Sequence, residues 1–136
     1  MAHPAVIDAI EARLAAGFTE CPIHSENTMS STPGDGSPFL VVQFPFARST
    51  WATIDGPDGS DFEEEGAVRF ILFVERGAGA QQGRQWLEKV ASIFRGAVFD
   101  NVQCFAPDSP VADDRNEDGV YYALSMACPY EFTISQ

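Results

Sequence analysis

Basic residues are scarce in this chain: eight Lys and Arg stand against twenty Asp and Glu, a formal net charge of −12 over 136 residues. Nucleic-acid binding draws its affinity from neutralised phosphates, so a surface of this sign argues against it. An anionic membrane surface is disfavoured for the same reason. No apolar run approaches the ~18 residues of a spanning helix, and no basic segment followed by an apolar stretch opens the sequence. Neither a membrane span nor a secretory signal is expected. Cysteine is also rare. Cys21, Cys104 and Cys128 are odd in number and form no CxxC, which speaks against a disulfide framework and for a reducing compartment. Histidine occurs only at His3 and His24.

Apolar residues are plentiful. They make up 45% of the chain, with 11 Phe, enough to exclude disorder for the chain as a whole. The length fits one domain over residues 1–136, with no internal repeat. Residues 4–17 read as a helix: Val6, Ile7, Ile10 and Leu14 fall on one helical stripe, Pro4 suits the first turn, and Gly17 is placed to close it in a left-handed conformation. Residues 19–38 read as loop. Phe39–Phe44 is a short run apolar on both faces and predicts a buried strand. It is extendable past Pro45 toward Trp51 with a bulge or break at the proline.

Residues 55–65 read as an exposed acidic loop and 67–75 as a second strand. Residues 78–95 predict a second helix, with Trp86, Leu87, Val90, Ile93 and Phe94 as its stripe and Gly96 as its cap. Residues 97–105 predict one uneven strand or two fragments broken at Asp100-Asn101, and 106–119 another acidic loop. The last segment is the clearest. Val120, Tyr122, Leu124, Met126, Cys128, Tyr130, Phe132 and Ile134 alternate with a second set, a strand signal of period two. Fifteen residues at about 3.3 Å each span about 50 Å, longer than a domain whose radius of gyration is near ~14 Å. The strand therefore bends, or projects toward a partner subunit. A bulge or edge position is expected at Pro129. The order predicts an α+β fold: a mixed, mostly antiparallel sheet of about four strands with two helices on one face. The step over 67–105 is open to a parallel pair through a right-handed crossover.

Candidate chemistry is thin. Gly77, Gly79 and Gly83 stand between a strand and a helix, but one residue too far apart for a dinucleotide fingerprint. Asp114–Gly119 matches the first half of a calcium loop, but Ser125 occupies the position that needs a bidentate Glu, so a turn is the better account. The acidic run Asp58, Asp61, Glu63, Glu64 and Glu65 reads as a solvated loop, without the separated environments that acid–base catalysis needs. Cys21-Pro22-Ile23-His24 supplies two metal donors where zinc takes four, and no orienting group for a Cys–His nucleophile. Trp86 and Phe94 read as core, and Trp51 as a surface or interface anchor. No catalytic, cofactor-binding or metal-binding residue is assigned, and no cofactor is expected.

Glu26-Asn27-Thr28, Pro33, Gly36 and Pro38-Phe39-Leu40-Val41-Val42, set between an amphipathic first helix and a later helix ending Ile93-Phe94-Arg95-Gly96, precede the long alternating terminal strand. This order resembles the small phage and prophage proteins related to lambda-type tail terminators, over roughly residues 4–134. The resemblance implies a mixed sheet flanked by helices and a structural, non-enzymatic role. It implies a homo-oligomeric ring, commonly hexameric, at the head-proximal end of the virion tail, assembled in the host cytoplasm. The implied partners are the tail tube protein and the head–tail connector, with neither nucleic acid nor membrane among them. A ring subunit needs exposed edges for heterologous contact, and the terminal strand is the expected source of one. The alternative is a small α+β ligand-binding domain or enzyme built around the loops at 19–38 and 107–118, which requires a concave pocket with convergent polar groups.

Overall fold

The computed structural model describes residues 2–25, 37–56, 59–75, 81–113 and 121–135. The first helix, α1 (Pro4–Gly17), begins with proline in its first turn. His3 caps it, its Nδ1 accepting the Ala5 N–H at 3.1 Å. Val6, Ala9, Ile10 and Leu14 are buried and Ile7 packs half-buried beside them, the predicted stripe. Gly17 does not take the left-handed role. The chain leaves the helix at Phe18, which is extended, with its N–H on the Leu14 carbonyl at 2.8 Å. Gly17 instead gives room to a neighbouring helix, since a Cβ there would lie 2.9 Å from Ile93 Cδ1.

The second helix, α2 (Gln81–Phe94), buries Gly83, Leu87, Val90, Ala91 and Phe94. It does end at a left-handed glycine, Gly96 at φ 64°. Arg13 ties the two helices, donating from Nε to the Ile93 carbonyl at 2.9 Å while its guanidinium covers the Phe99 ring at 4.8 Å.

Seven strands form the sheet among the described residues, more than the four expected: β1 (Ile23–His24), β2 (Phe39–Gly56), β3 (Gly59–Glu75), β4 (Val98–Phe99), β5 (Val102–Cys104), β6 (Val111–Asp113) and β7 (Tyr121–Ser135). The order is β1-β2-β3-β7-β5-β4, with β6 also on β7. The extra strands are two or three residues long, too short for a periodic signal. The broken segment resolves into two fragments: β4 and β5 form a hairpin about Asp100 (φ 45°) and Asn101 (φ 66°), the two positive values that a tight primed turn demands. No parallel pair spans the step across α2, because β7 lies between β3 and β5 and is antiparallel to both. Among the described residues the one parallel pairing is β1 with β2.

The acidic stretch expected as loop is strand where it is described. β7 runs beside β3 in unbroken register from Glu75↔Tyr121 to Asp61↔Ser135, so Asp61, Glu63, Glu64 and Glu65 are paired. Strand neighbours on both sides override a composition that disfavours strands. β7 is therefore an interior strand and not a projecting edge. Its length is matched by β2 and β3, so all three strands extend together.

Pro129 sits where β7 changes partner on its second side, between β5 and β6. Its carbonyl accepts the Phe105 N–H at 2.9 Å, and only the return donor is missing there. The register of β7 with β3 is unbroken through Pro129, so the bulge or edge expected there is absent, while the one expected at Pro45 is present: β2 places Phe44 and Pro45 against Val68, between Gln43↔Arg69 and Phe46↔Ala67.

Both helices lie on the face that carries Val68, Phe70, Leu72 and Val74 of β3. Phe70 stacks on Phe94 of α2 at 5.3 Å, and Leu40, Val42, Leu124, Met126 and Cys128 join the same core. Fully buried side chains such as Ile10, Leu87 and Phe94 each contribute about 1.5–3 kcal/mol of transfer free energy.

Candidate functional site

The one buried charged side chain among the described residues is Glu64, 5% exposed. Strand alternation places it on the helix-bearing face with Phe62, Gly66 and Val68. Its Oε2 accepts the Tyr130 hydroxyl at 2.7 Å, and its two oxygens lie 3.1 and 3.2 Å from the donating His3 N–H. His3 opens α1, so the carboxylate also lies at the positive end of a helix. The His3 ring tilts against Phe132 at 5.2 Å.

Gly66 makes this geometry possible. It pairs with Tyr130, and a Cβ on it would come within 2.7 Å of the Tyr130 hydroxyl and 2.7 Å of the Phe46 carbonyl. Burial, and then the Glu64 carboxylate, push the Tyr130 hydroxyl well above its ordinary range, so it stays a donor. Every partner here is occupied in holding α1 to β3 and β7. The arrangement is a clasp, not an acid–base pair. The acidic run conceals it, although Glu64 shares the parity of Gly66, Val68 and Phe70, and extending the alternation of β3 toward the N-terminus reveals the inward residue.

The other candidates fall apart in space or into the core. Gly77, Gly79, Asp58 and Asp114–Gly119 lie outside the described residues. Gly83 packs under Leu124, whose Cδ1 would lie 2.4 Å from an added Cβ, a close helix–sheet approach and not a phosphate turn. His24 stacks on Phe39 at 5.0 Å, and Phe39 on Phe73 at 4.7 Å. Cys21 is half-buried, its thiol pushed up to about 11 by burial and by Glu20, so it is a poor nucleophile. Cys104 and Cys128 are buried free thiols; Cys128 Sγ donates to the Phe105 and Pro129 carbonyls at 3.8 and 3.6 Å, and the neighbouring thiol together with burial holds Cys104 protonated. Among the described residues no three His, Cys, Asp or Glu side chains gather as a metal site. Trp86 meets Phe18 edge-on at 6.4 Å, and Phe94 is buried, as expected of core.

Among the described residues, two clefts open on the face away from the helices. One, of about 110 Å³, is lined by Arg69, Asp108, Val111 and Ser125. The other, of about 270 Å³, lies between Phe46, Gly66, Phe105 and Pro129 with Glu65 and Glu131 at its side. Both are below the roughly 300–1,000 Å³ of small-molecule sites.

The exposed apolar residues are more informative. Phe46 and Trp51 on β2 are 58% and 64% exposed, and Val98 and Val111 on β4 and β6 are 69% and 63% exposed. Trp51 leans on Phe62 at 5.8 Å and leaves most of its surface open, a surface position as its sequence context suggests. Scattered apolar side chains are ordinary on a surface; here two exposed aromatics share the stretch of β2 beyond Pro45.

A family model described as "Phage tail terminator protein" matches residues 5–130. No curated protein matches the chain. The chain is also similar to several solved structures, one of which superposes with a TM-score of 0.60 at 15% identity, covering 100% of this chain and 99% of that one. At that identity the likeness is one of fold.

Proposed function

The chain belongs to the phage tail terminator family, structural proteins of the phage tail, and from that premise we propose that it caps the tail tube as an oligomeric ring and helps join tail to head. Its neighbours in this reading are the tail tube protein below and the head–tail connector above, at the head-proximal end of the virion tail. The ring is a homo-oligomer, with six copies as the leading number. The observation that carries the reading is the family match over residues 5–130. The geometry supports it in a specific way: the sheet ends in exposed aromatic and aliphatic side chains at both extremes. A head-to-tail ring consumes one such end from each of two neighbours.

Mutual repulsion of subunits at −12 opposes self-assembly, and salt screens it. Light scattering across a protein and salt series, with and without purified tail tubes, tests the reading. Oligomers that grow with salt, and saturable binding at tube ends, are the expected result. A strict monomer at high protein and high salt, together with no attachment to tubes, refutes it.

A further inference from the structure

We infer that neighbouring copies of this chain meet through the outer edge of β2, from Phe46 to Trp51, which takes the opposite end of the next copy's sheet, formed by the β4–β5 hairpin and β6. The inference rests on the ring reading and names its contact surface. On its outer side β2 is paired by β1 only at Leu40 and Val41; beyond them, among the described residues, no strand pairs with that side. On its inner side β2 stays paired with β3 as far as Gly56. A long edge of this kind presents main-chain donors and acceptors to another chain.

The side chains along it fit that use. Phe46 and Trp51 are five positions apart in regular register, so they stand on opposite faces of the strand. An added chain would be gripped from both faces, covering side chains now 58% and 64% exposed. Such partly exposed aromatics are the residue type that anchors interfaces.

Charge selects the occupant. Residues 39–54 contain no Asp or Glu and one Arg, the exposed Arg48, in a chain of net charge −12. On this stretch of β2 a second acidic copy meets no like charge from the strand itself. The far end of the sheet carries the complement: Asp100 at the tip of the β4–β5 hairpin and Asp108 just before β6 are exposed, beside the open apolar Val98 and Val111. An aromatic edge that carries Arg48 and no acidic side chain of its own from Phe39 to Ile54 thus faces an apolar end that carries two exposed aspartates. Because these lie at opposite ends of the strand order, the contact is heterologous and repeats from copy to copy until it closes.

The test uses one variant at each end, Trp51→Glu and Val98→Glu, both at exposed positions, with circular dichroism and thermal unfolding to verify the fold. Masses are read by light scattering under conditions where the wild type assembles. Each variant alone is expected to be monomeric. Mixed in equal amounts they are expected to form a dimer that grows no further, because Trp51→Glu keeps its far end and Val98→Glu keeps its β2 edge. Those backbone amides of residues 47–51 that point away from β3 are expected to gain hydrogen-exchange protection on wild-type assembly. Wild-type oligomers with either variant still assembling, or with those amides unprotected, overturn this contact and leave the ring reading standing. A wild type that binds tail tubes but stays monomeric at high protein and salt also overturns it. A wild type that neither assembles nor binds tubes removes the ring reading itself, and this contact with it.

Discussion

Replacing Tyr130 by Phe tests the clasp at its strongest link. The substitution keeps the ring over Gly66 and removes one hydroxyl, whose partner is Glu64 Oε2 at 2.7 Å. That carboxylate is 5% exposed, so water cannot readily replace the lost donor, and His3 N–H remains. Hydrogen bonds to buried charges are worth about 1.5–3 kcal/mol. We expect Tyr130→Phe to lower the unfolding free energy by about that much, measured by urea titration, with a fall in Tm of roughly 5–10 °C.

The double variant Glu64→Leu/Tyr130→Phe is expected to cost no more than Tyr130→Phe alone, because it removes the buried charge together with its donor. The alkaline limb gives an independent sign. The folded-state hydroxyl is raised by burial and by Glu64, so the native state binds the proton more tightly. Its contribution is complete below the unfolded value of about 10 and is lost as pH rises beyond it. Tyr130→Phe should flatten that limb. A single variant within about 0.5 kcal/mol of wild type, or a double variant whose cost is the sum of the singles, refutes the clasp.

Gly66→Ala would press a methyl group against the Phe46 carbonyl and the Tyr130 ring; a loss of about 1–3 kcal/mol in urea unfolding is expected. Adding Tyr130→Ala should not restore it, since the carbonyl remains. Asn101→Val forces a β-branched residue to φ 66° and should cost about 1–2 kcal/mol, while Asn101→Gly should be neutral or better in thermal unfolding. The Cys21 thiol, raised from 9.0 to about 11 chiefly by burial, adds stability that is full below pH 9 and lost as pH rises toward 11. Cys21→Ser should weaken that loss. In thiol titration at neutral pH, Cys104 and Cys128 should react only on unfolding, and Cys21 slowly.

Periodicity made the helices and β7 legible because each buries one continuous stripe: Val6, Ile10 and Leu14 on α1, Leu87, Val90 and Phe94 on α2, and Leu124 through Phe132 on β7. Local chemistry placed the Pro45 bulge and the Asp100-Asn101 break, since proline and positive φ are constraints of single residues. What escaped was set by partners distant in sequence. Asp61 to Glu65 look like solvated loop until β7 pairs with them, and Glu64 looks like its neighbours until Tyr130, 66 residues away, reaches it. Gly17 likewise reads as a cap, when its role is to admit Ile93 from the other helix. The length of β7 suggested a bend or a projecting end, whereas β7 is an interior strand; which strand would be left with an open side depended on the order β1-β2-β3-β7, which no single segment encodes.

The bulge at Phe44-Pro45 joins the clasp to the assembly edge. Without the extra residue, the distal half of β2 would shift by one position against β3, and every side chain on it would change face. Arg48 would then stand opposite Glu64, on the helix-bearing side, and compete with Tyr130 and His3 for the carboxylate. Trp51 would stand opposite Asp61 on the outer face, away from Phe62. With the bulge, Arg48 lies opposite Glu65 and Trp51 opposite Phe62. The positive charge is thereby kept exposed on the outer face, where Phe46 also lies, and the indole continues the apolar row of Phe62 and Ile134 across β3 and β7. One inserted residue both leaves Glu64 to secure the start of α1 and gives β2 an aromatic on each face with a cation between them. A strand selected only for packing within its own sheet would gain nothing from the second of these effects; an edge that receives another copy would gain from both.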